Sequence, residues 1–160
     1  MATIEEIITD ILQREGGFVN NPADKGGRTD KGISEKHHPE AWADGKVTEA
    51  EARAIYLKKY ALTPGFDKIT DPHLQAQLVD FGVNSGPHMA IMKLQAILGT
   101  EQDGILGPKS LAAAGEMDPK YVNNRLMVER IRMIGRIVQR DRSQAAFIVG
   151  WLNRATEFLR

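Results

Sequence analysis

The sequence predicts an α+β fold that is predominantly α-helical and has a small β-hairpin near residues 18–33. Apolar residues recur at helical spacing behind capping signals along most of the chain, whereas one interval is rich in turn-forming residues. The chain has 160 residues, of which 42% are hydrophobic and 26% are charged, as is typical of a folded globular protein. We therefore expect a single domain spanning residues 1–160.

Helix start and stop signals define the expected elements. The first helix begins at a capping box formed by Thr3 and Glu6 and ends at Gly16 and Gly17. Later helices are expected from Thr48 to about Tyr60, from Pro72, from Pro87 to Leu98, from Pro108, from Pro119, and last from a cap at Ser143. Trp42 is the expected anchor of the irregular interval between the hairpin and the second helix.

Composition excludes several classes of chemistry. The chain has no cysteine and no His-Glu-x-x-His motif, so we expect no disulfide, metal or cofactor. No basic–aromatic pattern predicts nucleic-acid binding. Residues 1–119 hold 12 Lys+Arg and 18 Asp+Glu, whereas residues 120–160 hold 9 and 3. The basic C-terminal helices suit an anionic polymer, a membrane surface, or the acidic faces of the same chain, and these alternatives stay open.

Glu15 stands out as a candidate general acid. It follows Leu12 by three positions and Ile11 by four, so it continues the apolar stripe of the first helix. Partial burial and the helix C-terminus both disfavour a negative charge and would raise the pKa of this carboxyl. A general acid needs such a pKa to hold its proton near neutral pH. The alternative is an ordinary glutamate at a fraying helix end.

The segment from Glu15 to Ile33 has a characteristic pattern, formed by Glu15, Gly16, Gly17, Pro22, Asp24, Gly26, Gly27, Thr29, Gly32 and Ile33. This pattern resembles the signature of glycoside hydrolase family 108, a family of phage and bacterial N-acetylmuramidases. The resemblance implies a lysozyme-like fold with Glu15 as the catalytic acid.

Asp24 and Thr29 are the candidates for the second catalytic group, which stabilises the oxocarbenium ion and orients water. The alternatives are a loop-stabilising aspartate and a strand threonine that bonds its neighbours. Gly26 and Gly27 would permit a tight turn or close approach of a sugar. Whether the reaction inverts or retains configuration depends on the Glu15–Asp24 separation, which the sequence leaves open.

The remainder of the chain resembles two further family landmarks. The stretch from Asp80 to Gly86 resembles the second landmark of the family, where the Asn84 amide would bind an N-acetyl or hydroxyl group or else cap the helix. Tyr56 is a further candidate for substrate binding. The family commonly has a tryptophan where this chain has Ala61.

Residues from about 90 onward resemble a predicted peptidoglycan-binding domain, through Leu94-Gln95, 103–108 and 147–154. We expect residues 1–88 to form the catalytic segment and residues 89–160 to complete the same fold.

These observations predict a peptidoglycan hydrolase, a lysozyme that cleaves the β-1,4 bond between N-acetylmuramic acid and N-acetylglucosamine. The N-terminus carries Glu5 and Glu6 where a signal peptide would carry bases. We therefore expect a monomeric phage endolysin that is made in the host cytoplasm and reaches the periplasm through a holin. The alternatives are a lytic transglycosylase and a non-catalytic protein that binds the cell wall.

Overall fold

The computed structural model describes residues 3–15, 17 and 28–160, and for Glu15 it describes the backbone alone. Within these ranges the elements are α1 (Ile4–Glu15), β1 (Thr29–Asp30), β2 (Ile33–Ser34), α2 (Glu49–Leu57), α3 (Pro72–Ser85), α4 (Pro87–Leu98), α5 (Pro108–Glu116), α6 (Pro119–Arg140) and α7 (Ile148–Thr156). The two strands pair antiparallel as one hairpin. Among the described helices, none is long and apolar enough to cross a bilayer.

The predicted, mostly helical α+β fold is confirmed. Its hairpin lies at the end of the predicted interval, and residues 18–27 of that interval lie outside the described residues.

Both predicted capping boxes form. The Thr3 amide donates to Glu6 Oε2 (2.7 Å), and the Glu6 amide donates to Thr3 Oγ1 (3.2 Å). Thr48 and Glu51 make the same reciprocal pair at the start of α2. These contacts satisfy amides that the first turn of a helix leaves without partners, so they fix where α1 and α2 begin.

Two predicted helix boundaries differ from the structure. The helix expected to reach Tyr60 is α-helical only to Leu57 and continues as a π-helix, Lys58–Leu62. The cap expected at Ser143 is instead Asp141, which opens a 3₁₀ helix (Arg142–Phe147) ahead of α7. Asp141 Oδ1 accepts from both the amide (3.0 Å) and the hydroxyl (2.6 Å) of Ser143. The carboxylate is the better acceptor, so the serine becomes its donor.

The core forms where α3 packs against α1, α4 and α6. The predicted stripe of α1 runs from Ile4 to Leu12. Its members Ile7, Ile8, Ile11 and Leu12 are buried, and Ile4 is partly buried against the core. Burial of each such side chain contributes about 1.5–3 kcal/mol, so this stripe holds the C-terminal end of α1 in a fixed place. Trp42 is buried as expected, and it lies in the 3₁₀ helix Pro39–Trp42.

Candidate active site

The end of α1 and the start of the hairpin bound the candidate active site. Glu15 is the last residue of α1, and Thr29 is the first residue of β1. The side chain of Glu15 and all of Asp24, Gly26 and Gly27 lie outside the described residues. Their predicted roles, and the separation of the two carboxyls, therefore stay predictions.

A buried carboxylate anchors the hairpin. Asp30 is 6% exposed and accepts hydrogen bonds from Lys31 Nζ (3.1 Å) and from the amide of Val47 (3.4 Å). Lys31 Nζ also donates to the carbonyl of Val47 (2.8 Å). The Trp42 indole donates to the carbonyl of Ile33 (3.3 Å). Because strands of two residues are too short to be stable alone, these contacts hold the hairpin in place.

A second set of contacts fixes the open end of the hairpin. Thr29 is paired with Ser34, and just outside them Arg28 donates to both carboxylate oxygens of Glu35 (2.9 and 2.6 Å). These hydrogen bonds lower the pKa of Glu35. The Arg28 guanidinium also lies over the Trp42 ring, 4.9 Å from its centroid. The half-buried Thr29 therefore sits between two anchored residues.

The last turns of α1 are flanked by a groove on one side and by an ion pair on the other. The groove, of about 330 Å³, lies between α1 and the hairpin turn, and Leu12, Gly17 and Lys31 contribute to its lining. On the other side, Arg14 donates to the carboxylate of Glu157 (3.1 Å) beyond the end of α7. The segment that ends in Glu15 is thus bordered by an open groove and by an ion pair.

The two predicted substrate-binding residues outside the loop occupy different settings. Tyr56 is 4% exposed and its ring stacks on that of Tyr60, with centroids 5.5 Å apart. It is enclosed by the core, and its contact with sugar stays a prediction. Asn84 lies in the last turn of α3, and its Nδ2 donates to the carbonyl of Asp80 (2.7 Å). Its side chain also lines a cavity between α3, α6 and α7.

Beside that cavity lies a cluster of charges that the sequence interpretation missed. Asp80 is 4% exposed and accepts from Arg130 Nη2 (2.6 Å) and from Arg154 Nε (2.7 Å). Burial lowers the pKa of Arg130, and the Asp80 charge opposes that shift. A sequence signal did exist, because Arg130 follows Leu126 by four positions and precedes Ile134 by four, on the apolar face of α6.

Comparisons with known proteins agree with these features. The family model described as glycosyl hydrolase 108 matches residues 8–86, and the model described as predicted peptidoglycan domain matches residues 89–156. No curated protein gives a significant match to the chain. The solved structure titled "Structure of Brucella abortus SagA" has a TM-score of 0.68 and 28% sequence identity, covering 98% of this chain and 95% of that one. This chain therefore consists of a glycosyl hydrolase 108 domain followed by a predicted peptidoglycan domain, and it is a glycoside hydrolase that acts on peptidoglycan.

Proposed function

We propose that the protein is an N-acetylmuramidase, a lysozyme that hydrolyses the β-1,4 bond between N-acetylmuramic acid and N-acetylglucosamine. Glu15 is the general acid that protonates the leaving oxygen. The observation that carries this proposal is the end of α1, where Glu15 follows the buried Ile11 and Leu12 and precedes a groove beside the hairpin.

The position of Glu15 supplies the physical basis for its role. The C-terminal end of a helix carries a partial negative charge, which disfavours ionisation of a carboxyl there. The four buried residues of the α1 stripe also place the end of that helix against an apolar core. Both effects favour the protonated form, which an acid catalyst needs in the resting enzyme.

Asp24 and Thr29 complete the proposed reaction. Asp24 stabilises the positive charge that develops on the sugar or activates the attacking water, and Thr29 positions that water. The anchored hairpin supports the role of Thr29 in positioning water, because the contacts of Arg28 and Asp30 fix the residues on both sides of it. Gly26 and Gly27 allow the chain to approach the glycan closely.

The substitution Glu15→Gln tests the proposal. It keeps the size of the side chain and removes the transferable proton, so clearing of purified peptidoglycan should slow by about 10²–10⁴-fold. Glu5→Gln is the matched control, since Glu5 is an exposed residue of the same helix. Clearing by Glu15→Gln at the wild-type rate would show that the acid has been assigned wrongly.

Product analysis separates hydrolysis from transglycosylation. A hydrolase that positions water with Thr29 releases a reducing N-acetylmuramic acid end, whereas a lytic transglycosylase leaves a 1,6-anhydro ring. Mass spectrometry of the released muropeptides distinguishes these products because they differ by one water. A preparation dominated by the anhydro product would overturn the proposed reaction.

The biological setting we propose is that of a phage endolysin released to the wall by a holin. Its support is the resemblance of residues 15–33 to phage muramidases. Inducible expression in a bacterial host provides the test, with and without a co-expressed holin. Lysis is expected only when both are induced, and lysis by the enzyme alone would exclude dependence on a holin.

A further inference from the structure

The cavity beside the charge cluster has one polar wall and one apolar wall. It has a volume of about 110 Å³ and lies where the end of α3 meets α6 and α7. The polar wall consists of Asn84, Ser85, Arg130 and Arg154. The apolar wall consists of Met133, Ile134, Ile137 and Trp151.

The polar wall has more positive charge than negative charge, and it has hydrogen-bond donors without an acceptor in the described part of the chain. Arg130 and Arg154 share a single carboxylate, that of Asp80. Arg130 Nη1 and Arg154 Nη2 are buried, and no hydrogen-bond partner for either lies in the described part of the chain. A guanidinium keeps its charge at any accessible pH, so an acceptor is the remaining way to satisfy these donors.

Glu157, an acid near this cluster, does not supply that acceptor. Glu157 acts on Arg130 through space, but its carboxylate is half exposed and bonds Arg14 at the rim of the molecule. Within the buried group of Asp80, Arg130 and Arg154, one positive charge is left without a matching anion. Because Arg130 and Arg154 both line the cavity, an anion that enters it would be attracted by this charge.

We propose that this cavity binds a carboxylate of peptidoglycan, which is either the lactyl carboxylate of a muramic acid that has lost its stem peptide or the terminal alanyl carboxylate of the stem peptide. The inference rests on the proposed function. Both groups are carboxylates on a short stem with a methyl group, which suits a cationic wall facing Trp151 and Ile137. The volume of about 110 Å³ admits a group of this size. The Asn84 amide lies beside the same space and would contact the adjoining amide or hydroxyl.

Nuclear magnetic resonance of the indole N–H groups can detect this binding. The chain has two tryptophans, Trp151 in the cavity wall and Trp42 in the core beside the hairpin, so Trp42 is an internal reference. The probes are N-acetylmuramic acid and N-acetyl-D-alanyl-D-alanine. Their controls, which lack the carboxylate, are N-acetylglucosamine and the amide of the dipeptide. We expect a carboxylate probe to shift the Trp151 signal, and neither control to do so.

The two carboxylate probes distinguish the two sources. A shift with N-acetylmuramic acid alone assigns the lactyl group, and a shift with the dipeptide alone assigns the alanyl carboxylate. Equal shifts with the acids and their controls, or no shift of Trp151 with either acid, would overturn the proposal. Because no bond is cleaved in this titration, it can fail while the Glu15→Gln test succeeds, and the reverse also holds.

Ile137 provides a matched pair of variants that leave the charge cluster intact. It lines the cavity and is 37% exposed, so a longer polar side chain can be accommodated there. Ile137→Glu brings a carboxylate of the protein to the cavity and should weaken binding of the carboxylate probe by about tenfold. Ile137→Gln has the same shape without the charge and should bind nearly as the wild type does. Equal affinities in the two variants would contradict a site for anions.

Discussion

The hairpin and the buried charge cluster both rely on ion pairs, but they differ in distance along the chain and in burial. In the hairpin, Arg28 and Glu35 are seven residues apart and their side chains are 37% and 38% exposed. In the cluster, Arg130 and Arg154 lie 50 and 74 residues from Asp80, and Asp80 and Arg130 are each 5% exposed at the side chain. The first pair ties a local turn, whereas the second joins α3 to α6 and α7.

The hairpin that carries Thr29 and the cluster beside the proposed binding cavity therefore differ in how firmly their ion pairs hold them. Water screens the exposed hairpin pair, so it restrains Thr29 only weakly and depends on the buried Asp30 and Trp42 for support. The cluster lies in the core, where a charge without its partner is costly. A binding site at the cluster is therefore preorganised by the fold, whereas Thr29 depends on contacts within and beside the hairpin.

The largest effect is expected from Asp80→Asn, which tests the cluster side of the comparison. The variant leaves the buried guanidinium of Arg130 and the partly buried guanidinium of Arg154 without an anion, so the free energy of unfolding should fall by about 3–5 kcal/mol. Urea denaturation followed by circular dichroism measures it. Asp10→Asn is the control, because Asp10 is exposed on α1 and should change stability by less than about 0.5 kcal/mol. A loss of similar size in both variants would remove the distinction between the two regions.

Thr29→Ala tests the hairpin side through activity. Loss of the hydroxyl leaves the attacking water poorly placed, and peptidoglycan hydrolysis should slow by about 10–100-fold while the urea midpoint moves little. Ser34→Ala is the matched control, since Ser34 is paired with Thr29 across the hairpin. The rate of formation of new reducing ends measures the effect. If Ser34→Ala slows the reaction equally, the hairpin matters as a whole and Thr29 has no special role.

Asp71 lies between the two regions in burial, with a side chain that is 16% exposed, and its contribution to stability should depend on pH. Burial alone would raise the pKa of Asp71, but hydrogen bonds from the Leu74 amide (2.8 Å) and Arg160 (2.9 Å) outweigh it and lower that pKa. The resulting stability is present above the unfolded pKa of about 3.9 and is lost as pH falls through the lower folded value. Asp71→Asn should therefore cost about 1 kcal/mol near neutral pH, with the difference from wild type shrinking toward about pH 3.

Urea titrations of both proteins at the two pH values measure this difference. Asp67→Asn is the control, because Asp67 is exposed one turn before α3. A cost for Asp71→Asn that stays constant with pH would show that the cap contributes through geometry and not through its charge.

The contrast also explains which features the sequence could predict. The Thr48–Glu51 box depends on residues three positions apart, and the hairpin turns at Lys31 and Gly32, which both have positive φ, so both features follow from local rules. The cluster forms only where α6 and α7 pack against α3. Periodicity predicts which face of a helix is buried, but it does not predict which helix packs against that face. Glu15 was predicted from its place after Leu12 together with the family motif. The same periodicity says nothing of the loop that carries Asp24.

The smallest effect is expected from Glu35→Gln. Its dependence on salt tests whether the hairpin pair is more exposed to solvent than the buried cluster. The variant keeps Arg28 over the Trp42 ring and removes only the charge of its partner. The urea midpoint should fall slightly at low ionic strength, and the difference from wild type should vanish in about 1 M NaCl, where the Debye length is about 3 Å. The deficit of Asp80→Asn should persist in the same salt, because its partners are shielded from solvent. If salt leaves the Glu35→Gln deficit unchanged, the hairpin pair is as protected as the buried one, and Thr29 is held as rigidly as the cavity.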